Sequence, residues 1–317
     1  MTRPAVSATS SQKATRPGWR IRLLQGLCHG ALVLIASLLS LMSRQRLAAI
    51  GNSPLTSSLI DRLMVRIQGR QRQYTDTNLA LIFPHLSEAR RQQIKRDYYG
   101  NVIATLPTLW RLRNGPELHQ SIEVSGLEHL QAATSQQLGQ NNGILFVTCH
   151  SFDWEVSNLN LTHLGYPACN LYRDYSNSLI NHRALNSKNR YGDLSWYYPT
   201  TRTGELVERV VRGDHAFLFL DVRTKRGRNG HQINVCGQPA WVSTFAAQIA
   251  LAHHKQIIPV VIQRDPQGRY HQHFEAPIAL DSGDPVMITA AICDALSAHI
   301  LKHPANWALW DSNFWAP

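Results

Sequence analysis

Three short apolar runs in the second half of the chain constrain the fold most. They read "GILFVTCH" (143–150), "HAFLFLD" (215–221) and "QIIPVVIQR" (256–264). Continuous apolar runs of this length, rather than alternating ones, are typical of strands buried on both faces of a sheet. Helical patterns such as "TGELVERVVRG" and "STFAAQIALAHHK" lie between them. The alternation predicts an α/β fold with a central, mostly parallel sheet flanked by helices.

Two of these runs end in a residue that can do chemistry. His150 closes the first run and Asp221 closes the second. Ligands of parallel α/β sheets bind at the carboxyl ends of the strands, so we expect a site there. Glu155 follows His150 by five positions. A carboxylate on one ring nitrogen of a histidine fixes the tautomer and lets the other nitrogen take a proton from a hydroxyl.

The spacing between His150 and Glu155 is meaningful only with a particular local structure. Positions five apart on an ideal helix diverge by roughly 140°, so Glu155 reaches His150 only if His150 precedes the helix or lies in its first turn. Taken alone, this spacing is a weak motif. On the residues by themselves, a structural histidine and a general base both stay open.

Other chemistries have less support from the residues. Cys149 adjoins His150, but adjacent strand side chains point to opposite faces, which disfavours a Cys/His nucleophilic pair. His150, Asp153 and Glu155 match no recognised metal-site spacing, and the glycine motifs of nucleotide sites are missing from the sequence. We therefore expect no metal and no cofactor. Five scattered cysteines suggest neither a disulfide framework nor a zinc ribbon, and favour a reducing compartment.

The charge of the chain is concentrated at its N-terminal side. Residues 1–120 hold 17 Lys+Arg against 5 Asp+Glu, whereas residues 121–317 hold 15 against 16. Such a segment fits nucleic acid or an anionic membrane surface. Residues 23–42 are twenty residues without a charged side chain, about the length that crosses a bilayer core. This neighbour favours a membrane and predicts a retained anchor. An interfacial helix, a cleaved signal and a buried core helix are the alternatives.

These patterns divide the chain into four parts. We expect a disordered N-terminus at 1–19, a membrane-anchor helix at 20–46, a basic, membrane-proximal helical segment at 47–120, and an α/β catalytic domain at 121–317. In the helical segment, Ile94, Tyr98 and Val102 recur at the interval that keeps apolar groups on one helix face. Ser87 is the predicted N-cap of that helix.

The order of several motifs resembles a known family. His150 and Glu155 are followed by "LYRDYSNSLIN" around Arg173, then by "DVRTKRGRNG", "VCGQPAWVSTFAAQIALAHHK" and "HPANWALWDSNFW". This succession is similar to the lipid A biosynthesis (lauroyl/myristoyl) acyltransferases of the lysophospholipid acyltransferase superfamily. The resemblance covers roughly residues 20–315. It implies a glycerolipid acyltransferase-like α/β fold.

The resemblance also implies an activity. An acyl chain would pass from a thioester, on acyl carrier protein or alternatively on coenzyme A, to a hydroxyl of a lipid A precursor or related glycolipid. His150 would be the general base and Glu155 its acidic partner, although Asp is frequent in the family where this chain has Glu155. No cofactor beyond the donor substrate is implied. The alternative is an inactive membrane-bound lipid-binding or scaffold protein of the same fold.

Further residues and a location come with the resemblance. Arg173, Asp221 and Gly237 match substrate-binding positions. The basic loop residues Arg223, Lys225 and Arg226 are candidates for contacting phosphate groups of the acceptor or of the carrier. The implied location is the inner (cytoplasmic) membrane, single-pass or peripheral, with the catalytic domain facing the cytoplasm. The implied partners are acyl carrier protein, the glycolipid acceptor and the bilayer, and no nucleic acid.

Overall fold

A computed structural model describes most of the chain from residue 37 onward. The described residues are 30, 34–35, 37–68, 73–105, 107, 122–135, 143–172, 197–199, 203–227, 229–265 and 267–315. The predicted disordered terminus, much of the predicted anchor and Arg173 lie outside them. Within the apolar run 23–42, residues 37–40 are helical, and the side chains of Leu38 and Leu41 are exposed. A membrane anchor is therefore not shown by the described residues.

The described strands form a seven-stranded sheet and a separate two-stranded hairpin. The order in the large sheet is β1-β9-β8-β2-β5-β3-β4, and the pairs from β8 through β4 are parallel, whereas β9 runs antiparallel to β8. The strands are β1 Ile122–Ser125, β2 Leu145–Thr148, β3 Ala168–Tyr172, β4 Tyr197–Pro199, β5 His215–Phe219, β6 Gly230–Val235, β7 Gln238–Ser243, β8 Ile257–Arg264 and β9 Tyr270–Phe274. The predicted α/β fold with a mostly parallel sheet is confirmed.

Helices precede the sheet and cover both of its faces. Numbered along the described residues, they are α1 Arg44–Asn52, α2 Pro54–Gln68, α3 Gln73–Ile82, α4 Glu88–Thr105, α5 Leu127–Ser135, α6 Trp154–His163, α7 Thr203–Val211, α8 Phe245–His253 and α9 Pro285–Lys302. The Ser87 hydroxyl accepts a hydrogen bond from the Arg90 backbone N–H, which confirms Ser87 as the N-cap of α4. Helices α1 and α4 cross at two glycines: a Cβ on Gly51 would lie 2.7 Å from the Cα of Gly100.

The register of three adjacent strands aligns their carboxyl ends. In β2, Leu145 pairs with Ala216 of β5 on one side and with Ile257 of β8 on the other. Successive side chains of a strand point to opposite faces. Accordingly, Leu145 and Val147 belong to the apolar core on one face, while Phe146 belongs to the core on the other. Because β2 is buried on both faces, the residues just beyond it are held on a rigid support.

Among the described residues, one helix passes a length-and-composition test for a membrane span. It is α9, and 39% of this helix is buried inside the protein. Its apolar face carries Ile288, Ile292 and Leu296, all buried in the main core. Packing against the sheet accounts for the apolar character of that face.

Candidate active site

The site is built around His150, which follows the end of β2. Its Nδ1 lies 2.7 Å from Oδ1 of Asp221, which follows β5. The two residues are 71 positions apart in sequence and meet because β2 and β5 are parallel neighbours in register. His150 and Asp221 thus meet at the carboxyl ends of the strands, where a site is expected.

Asp221 is a buried carboxylate whose oxygens are held by N–H donors. Its side chain is 4% exposed. Besides the His150 ring, Oδ2 accepts hydrogen bonds from the His150 backbone N–H at 2.6 Å and from the indole Nε1–H of Trp307 at 2.7 Å. These hydrogen bonds hold the carboxylate in one orientation. Asp221 thereby sets the ring plane of His150.

The C-terminal segment contacts this pair through its backbone and through Trp307. The His150 carbonyl oxygen accepts from Ala308 N at 2.7 Å, and Phe152 N donates to Asn306 O at 2.9 Å. Trp307 is 1% exposed and packs against Trp310 and Trp315 in an aromatic cluster. These contacts hold both the backbone of His150 and the carboxylate that orients its ring.

The other side of the imidazole faces aromatic rings and solvent. His150 stacks on Phe219 with a centroid distance of 4.0 Å, and the Trp154 ring lies edge-on at 6.4 Å. The His150 side chain is 25% exposed. Because Nδ1 is engaged by Asp221, the atom of the ring that can take a proton from a substrate is Nε2.

A second buried ion pair fixes the loop between His150 and helix α6. Asp153, the residue before α6, has φ 65°, a left-handed conformation that Asp tolerates. Its Oδ2 lies 3.0 Å from Nη1 of Arg264, and the two side chains are 0% and 5% exposed. Arg264 Nη2 also donates to Asn101 Oδ1 of α4 at 2.8 Å. Arg264 thus ties the entry of α6 to the end of β8 and to the N-terminal helices.

Glu155 lies in the first turn of α6 and is half-buried. The loop that carries His150 precedes this helix, which meets the condition set by their five-residue spacing. The carboxylate found on Nδ1 of His150, however, is that of Asp221. Orientation of the imidazole is therefore carried out by a residue that the resemblance implied to be substrate-binding, and the part of Glu155 stays a prediction.

Cys149 has no features of a nucleophile. Its side chain is 4% exposed, and burial raises the pKa of its thiol well above the usual range, with the charge of Asp221 acting in the same direction. A thiol with a raised pKa stays protonated at neutral pH and reacts poorly. The chemistry of this edge therefore centres on His150.

The basic loop begins directly after Asp221. Arg223 is half-buried, and Lys225 and Arg226 are exposed. The loop is tied to the β6–β7 hairpin, because Thr224 N donates to Trp241 O at 3.0 Å. At Gly230 a Cβ would collide with the Lys225 carbonyl oxygen, so glycine is required there. Cations are thus presented beside the site on an anchored loop.

Gly237 has a backbone reason for being glycine. It lies in the two-residue turn between β6 and β7, where Cys236 and Gly237 have φ of 52° and 78°. Positive φ at both central positions is the type I′ geometry that favours glycine. A Cβ at Gly237 would meet nothing within 4 Å, so conformation and not space selects the residue. A role for Gly237 in binding substrate stays a prediction.

Sequence reasoning missed Trp307 and Arg264. A tryptophan in "HPANWALWDSNFW" has the features of an ordinary core residue, and only the indole N–H directed at Asp221 distinguishes it. Arg264 ends the third apolar run, at the same sheet edge as His150 and Asp221. Its position at the end of a predicted strand could have marked Arg264 as a candidate site residue.

The fold and site together define a class: an α/β protein with a histidine–carboxylate pair at the carboxyl edge of its sheet, suited to deprotonating a hydroxyl. The sequence model of the family described as bacterial lipid A biosynthesis acyltransferase matches residues 46–315. The chain belongs to this family.

Two curated relatives are similar over part of their lengths. One is the lipid A biosynthesis acyltransferase of Haemophilus influenzae, 26% identical over 125 residues, which are 39% of this chain and 38% of that protein. The other is the phosphatidylinositol mannoside acyltransferase of Mycobacterium tuberculosis, 22% identical over 211 residues, which are 66% of this chain and 64% of that protein. The chain therefore aligns with less than two thirds of either relative's length.

Proposed function

We propose that the protein is a membrane-associated acyltransferase that moves a fatty acyl chain from a thioester to a hydroxyl of a glycolipid. A lipid A precursor or a related glycolipid is the proposed acceptor. The observation that carries this proposal is the 2.7 Å pair between His150 Nδ1 and the buried Asp221, which leaves Nε2 directed away from the carboxylate. Family membership supports the reaction class.

The proposed reaction is a direct transfer. His150 Nε2 takes the proton of the acceptor hydroxyl as its oxygen attacks the thioester carbonyl carbon. Asp221 stabilises the resulting imidazolium and keeps its own charge, as the carboxylate of a catalytic triad does. When the tetrahedral intermediate collapses, the C–S bond breaks and the imidazolium returns its proton to the departing sulfur. The products are an ester and a free thiol.

Glu155 is proposed as a second carboxylate of the same site. It lies in the first turn of α6, in the segment that Arg264 anchors through Asp153. Our proposal is that Glu155 acts through His150, so that its loss matters only while the imidazole is present. Comparing Glu155→Gln in the native and His150→Ala backgrounds tests this directly.

The basic loop is proposed to bind phosphate. Arg223, Lys225 and Arg226 follow directly after Asp221, and Arg173 is proposed to act with them. Lipid A precursors and the phosphopantetheine arm of acyl carrier protein both carry phosphate, which arginine binds in a bidentate manner. Acyl carrier protein is the proposed donor and coenzyme A the alternative, because a basic surface attracts an acidic carrier.

Membrane association is proposed for the N-terminal helices, at the inner membrane with the catalytic domain facing the cytoplasm. Exposed leucines support it: Leu38 and Leu41 near the start, and Leu55 and Leu59 on α2, have 56%, 84%, 86% and 65% of their surface exposed. Apolar groups that stay exposed in a folded chain mark surfaces for lipid or protein.

The proposal is tested by transfer of labelled acyl groups with purified, detergent-solubilised protein. Acyl carrier protein and coenzyme A thioesters are each offered with a lipid A precursor and with a phosphatidylinositol mannoside. We expect ester formation by the native protein and a rate about 10²–10⁴-fold lower for His150→Ala of equal folded content. An inactive lipid-binding protein would bind acceptor vesicles and transfer nothing, which would overturn the proposal.

A further inference from the structure

A second cluster of two histidines and a carboxylate lies between β9 and α9. Within the part of the chain that the structure describes, His273, Glu275 and His299 form one group whose ligand atoms all lie within 4.8 Å of one another. His273 is on β9, Glu275 follows that strand, and His299 is near the end of α9. The proposed mechanism uses none of the three.

The single carboxylate faces both imidazoles. Oε1 of Glu275 lies 2.8 Å from Nε2 of His299 and 3.5 Å from Nε2 of His273. A divalent ion held at about 2.0–2.2 Å from nitrogen and oxygen ligands separates neighbouring ligand atoms by about 3–3.5 Å. The two measured separations bracket this range. The three side chains are 20–36% exposed, so an ion from solvent can reach them.

The surroundings hold His273 in the orientation that a ligand needs. Its Nδ1 lies 2.8 Å from the hydroxyl oxygen of Ser125, its paired residue on β1. Metal-bound histidines usually donate the second ring N–H to such an oxygen acceptor, which fixes the tautomer and directs the other nitrogen to the metal. Glu275 is also anchored, because its backbone N–H donates to the Pro259 carbonyl at 2.9 Å.

We propose that His273, Glu275 and His299 form a binding site for a divalent transition metal of the zinc class. Two imidazoles and one carboxylate suit Zn²⁺, with water completing the coordination. The ion would join the last turns of α9 to β9, which lies between β1 and β8 in the sheet. The chain leaving α9 continues directly to Trp307, so the site would stabilise the helix that carries the C-terminal segment. Its role is structural, and it takes no part in the proposed transfer step.

A neighbouring histidine provides a matched control. His271 lies two residues earlier on β9 and also contacts two carboxylates: Nδ1 is 3.1 Å from Glu123 and Nε2 is 3.3 Å from Asp265. Those carboxylates lie on opposite ring nitrogens, so the three groups do not converge on one point. His271→Gln should therefore leave metal binding intact, whereas His273→Gln, Glu275→Gln and His299→Gln should each weaken it.

The experiment uses full-length, detergent-solubilised protein without a histidine tag, dialysed against chelator. Zn²⁺ is titrated calorimetrically, Co²⁺ is followed by its visible absorption, and melting is recorded with and without Zn²⁺. We expect one ion per chain and a rise in melting temperature of about 5 °C, since a ligand bound only to the folded state stabilises it. His271→Gln should behave as the native chain does, and each site variant should bind at least tenfold more weakly.

Two results would overturn the proposal. One is the absence of saturable Zn²⁺ binding to native protein whose melting is cooperative. The other is equal binding by the native chain and by His299→Gln and Glu275→Gln. Either result would make the three side chains a hydrogen-bonded group only.

Discussion

Two histidine–carboxylate pairs in the protein have nearly equal lengths but different surroundings. At the carboxyl edge, His150 and Asp221 are 2.7 Å apart, and Asp221 is 4% exposed. Between β9 and α9, His299 and Glu275 are 2.8 Å apart, and Glu275 is 33% exposed. Distance alone does not separate a base with its orienting acid from other arrangements.

The difference lies in what else each carboxylate contacts. Asp221 accepts hydrogen bonds from a backbone N–H and an indole N–H, so its carboxylate and the one imidazole that it contacts are held in a fixed orientation. Glu275 faces two imidazoles and is partly open to solvent. Asp221 is buried, accepts two N–H donors and contacts a single imidazole, which suits it to orient a base. Glu275 is accessible and contacts two imidazoles, the arrangement proposed to hold a cation between ligands.

The largest expected effect is the loss of transfer on removing the base. His150→Gln should lower turnover about 10²–10⁴-fold, the usual contribution of general-base catalysis. His271→Gln, on β9, should leave turnover within about twofold of the native value. Initial rates of labelled acyl transfer at equal folded content decide it. Comparable losses in the two variants would show that His150 is no more important for transfer than a histidine on β9.

A buried and an exposed ion pair should differ in how much they contribute to the stability of the fold. Arg264→Met removes the buried cation that pairs with Asp153 and should destabilise the fold by about 3–5 kcal/mol. Arg269→Met removes an exposed pair with Asp265, in which the arginine is 67% exposed, and should cost at most about 1 kcal/mol. Denaturant unfolding in detergent measures both. If Arg264→Met proves no more costly than Arg269→Met, the buried pair does not anchor the α6 entry.

A buried histidine at the amino ends of the strands should make stability depend on pH. Burial, with a smaller contribution from the charge of Lys255, lowers the pKa of His215 from 6.5 to about 4, and its Nδ1 accepts a hydrogen bond from Ile144 N. The unfolded chain binds this proton more readily, so stability is complete above pH 6.5 and declines between pH 6.5 and 4. The loss should approach about 3 kcal/mol.

The control for that prediction is His215→Asn. The amide oxygen of asparagine stands near the Nδ1 position and does not titrate in this range. Unfolding measured from pH 7.5 down to pH 4 should therefore show a shallower decline for His215→Asn. Identical pH profiles for the two proteins would assign acid sensitivity to other groups.

The smallest expected effect concerns the indole that holds Asp221. Trp307→Phe removes one hydrogen bond to a buried carboxylate and should lower kcat about tenfold while KM stays near its native value. Trp310→Phe is matched, because Trp310 is also buried but donates to the Pro304 carbonyl oxygen. It should lose stability without the selective fall in kcat. Equal kinetics of the two variants would limit Trp307 to packing.

Sequence reasoning succeeded where local pattern determines structure. The runs that contain β2, β5 and β8 are continuous apolar segments, and their parallel arrangement follows from the helices between them. The strand-end positions of His150 and Asp221 could therefore be predicted. Ser87 was found for the same reason, since a helix cap is a local signal.

The pairing within the site could not be predicted in this way. Glu155 is close to His150 in sequence and was assigned the orienting role, whereas Asp221 is 71 residues away. Only the strand order, with β5 directly beside β2, brings Asp221 to Nδ1. The Trp307 contact depends on how the C-terminal segment packs, and nothing in the local spacing reports it.

His150 and Asp221 are proposed to act as one catalytic unit, and a double-mutant cycle measures the coupling between them. Transfer rates are measured for the native protein, His150→Ala, Asp221→Asn and the double variant. Asp221→Asn should lower kcat by about 100-fold in the native background and by less than about twofold in the His150→Ala background, since effects within one catalytic unit are not additive. An equal loss in both backgrounds, or no loss in the native one, would contradict the account.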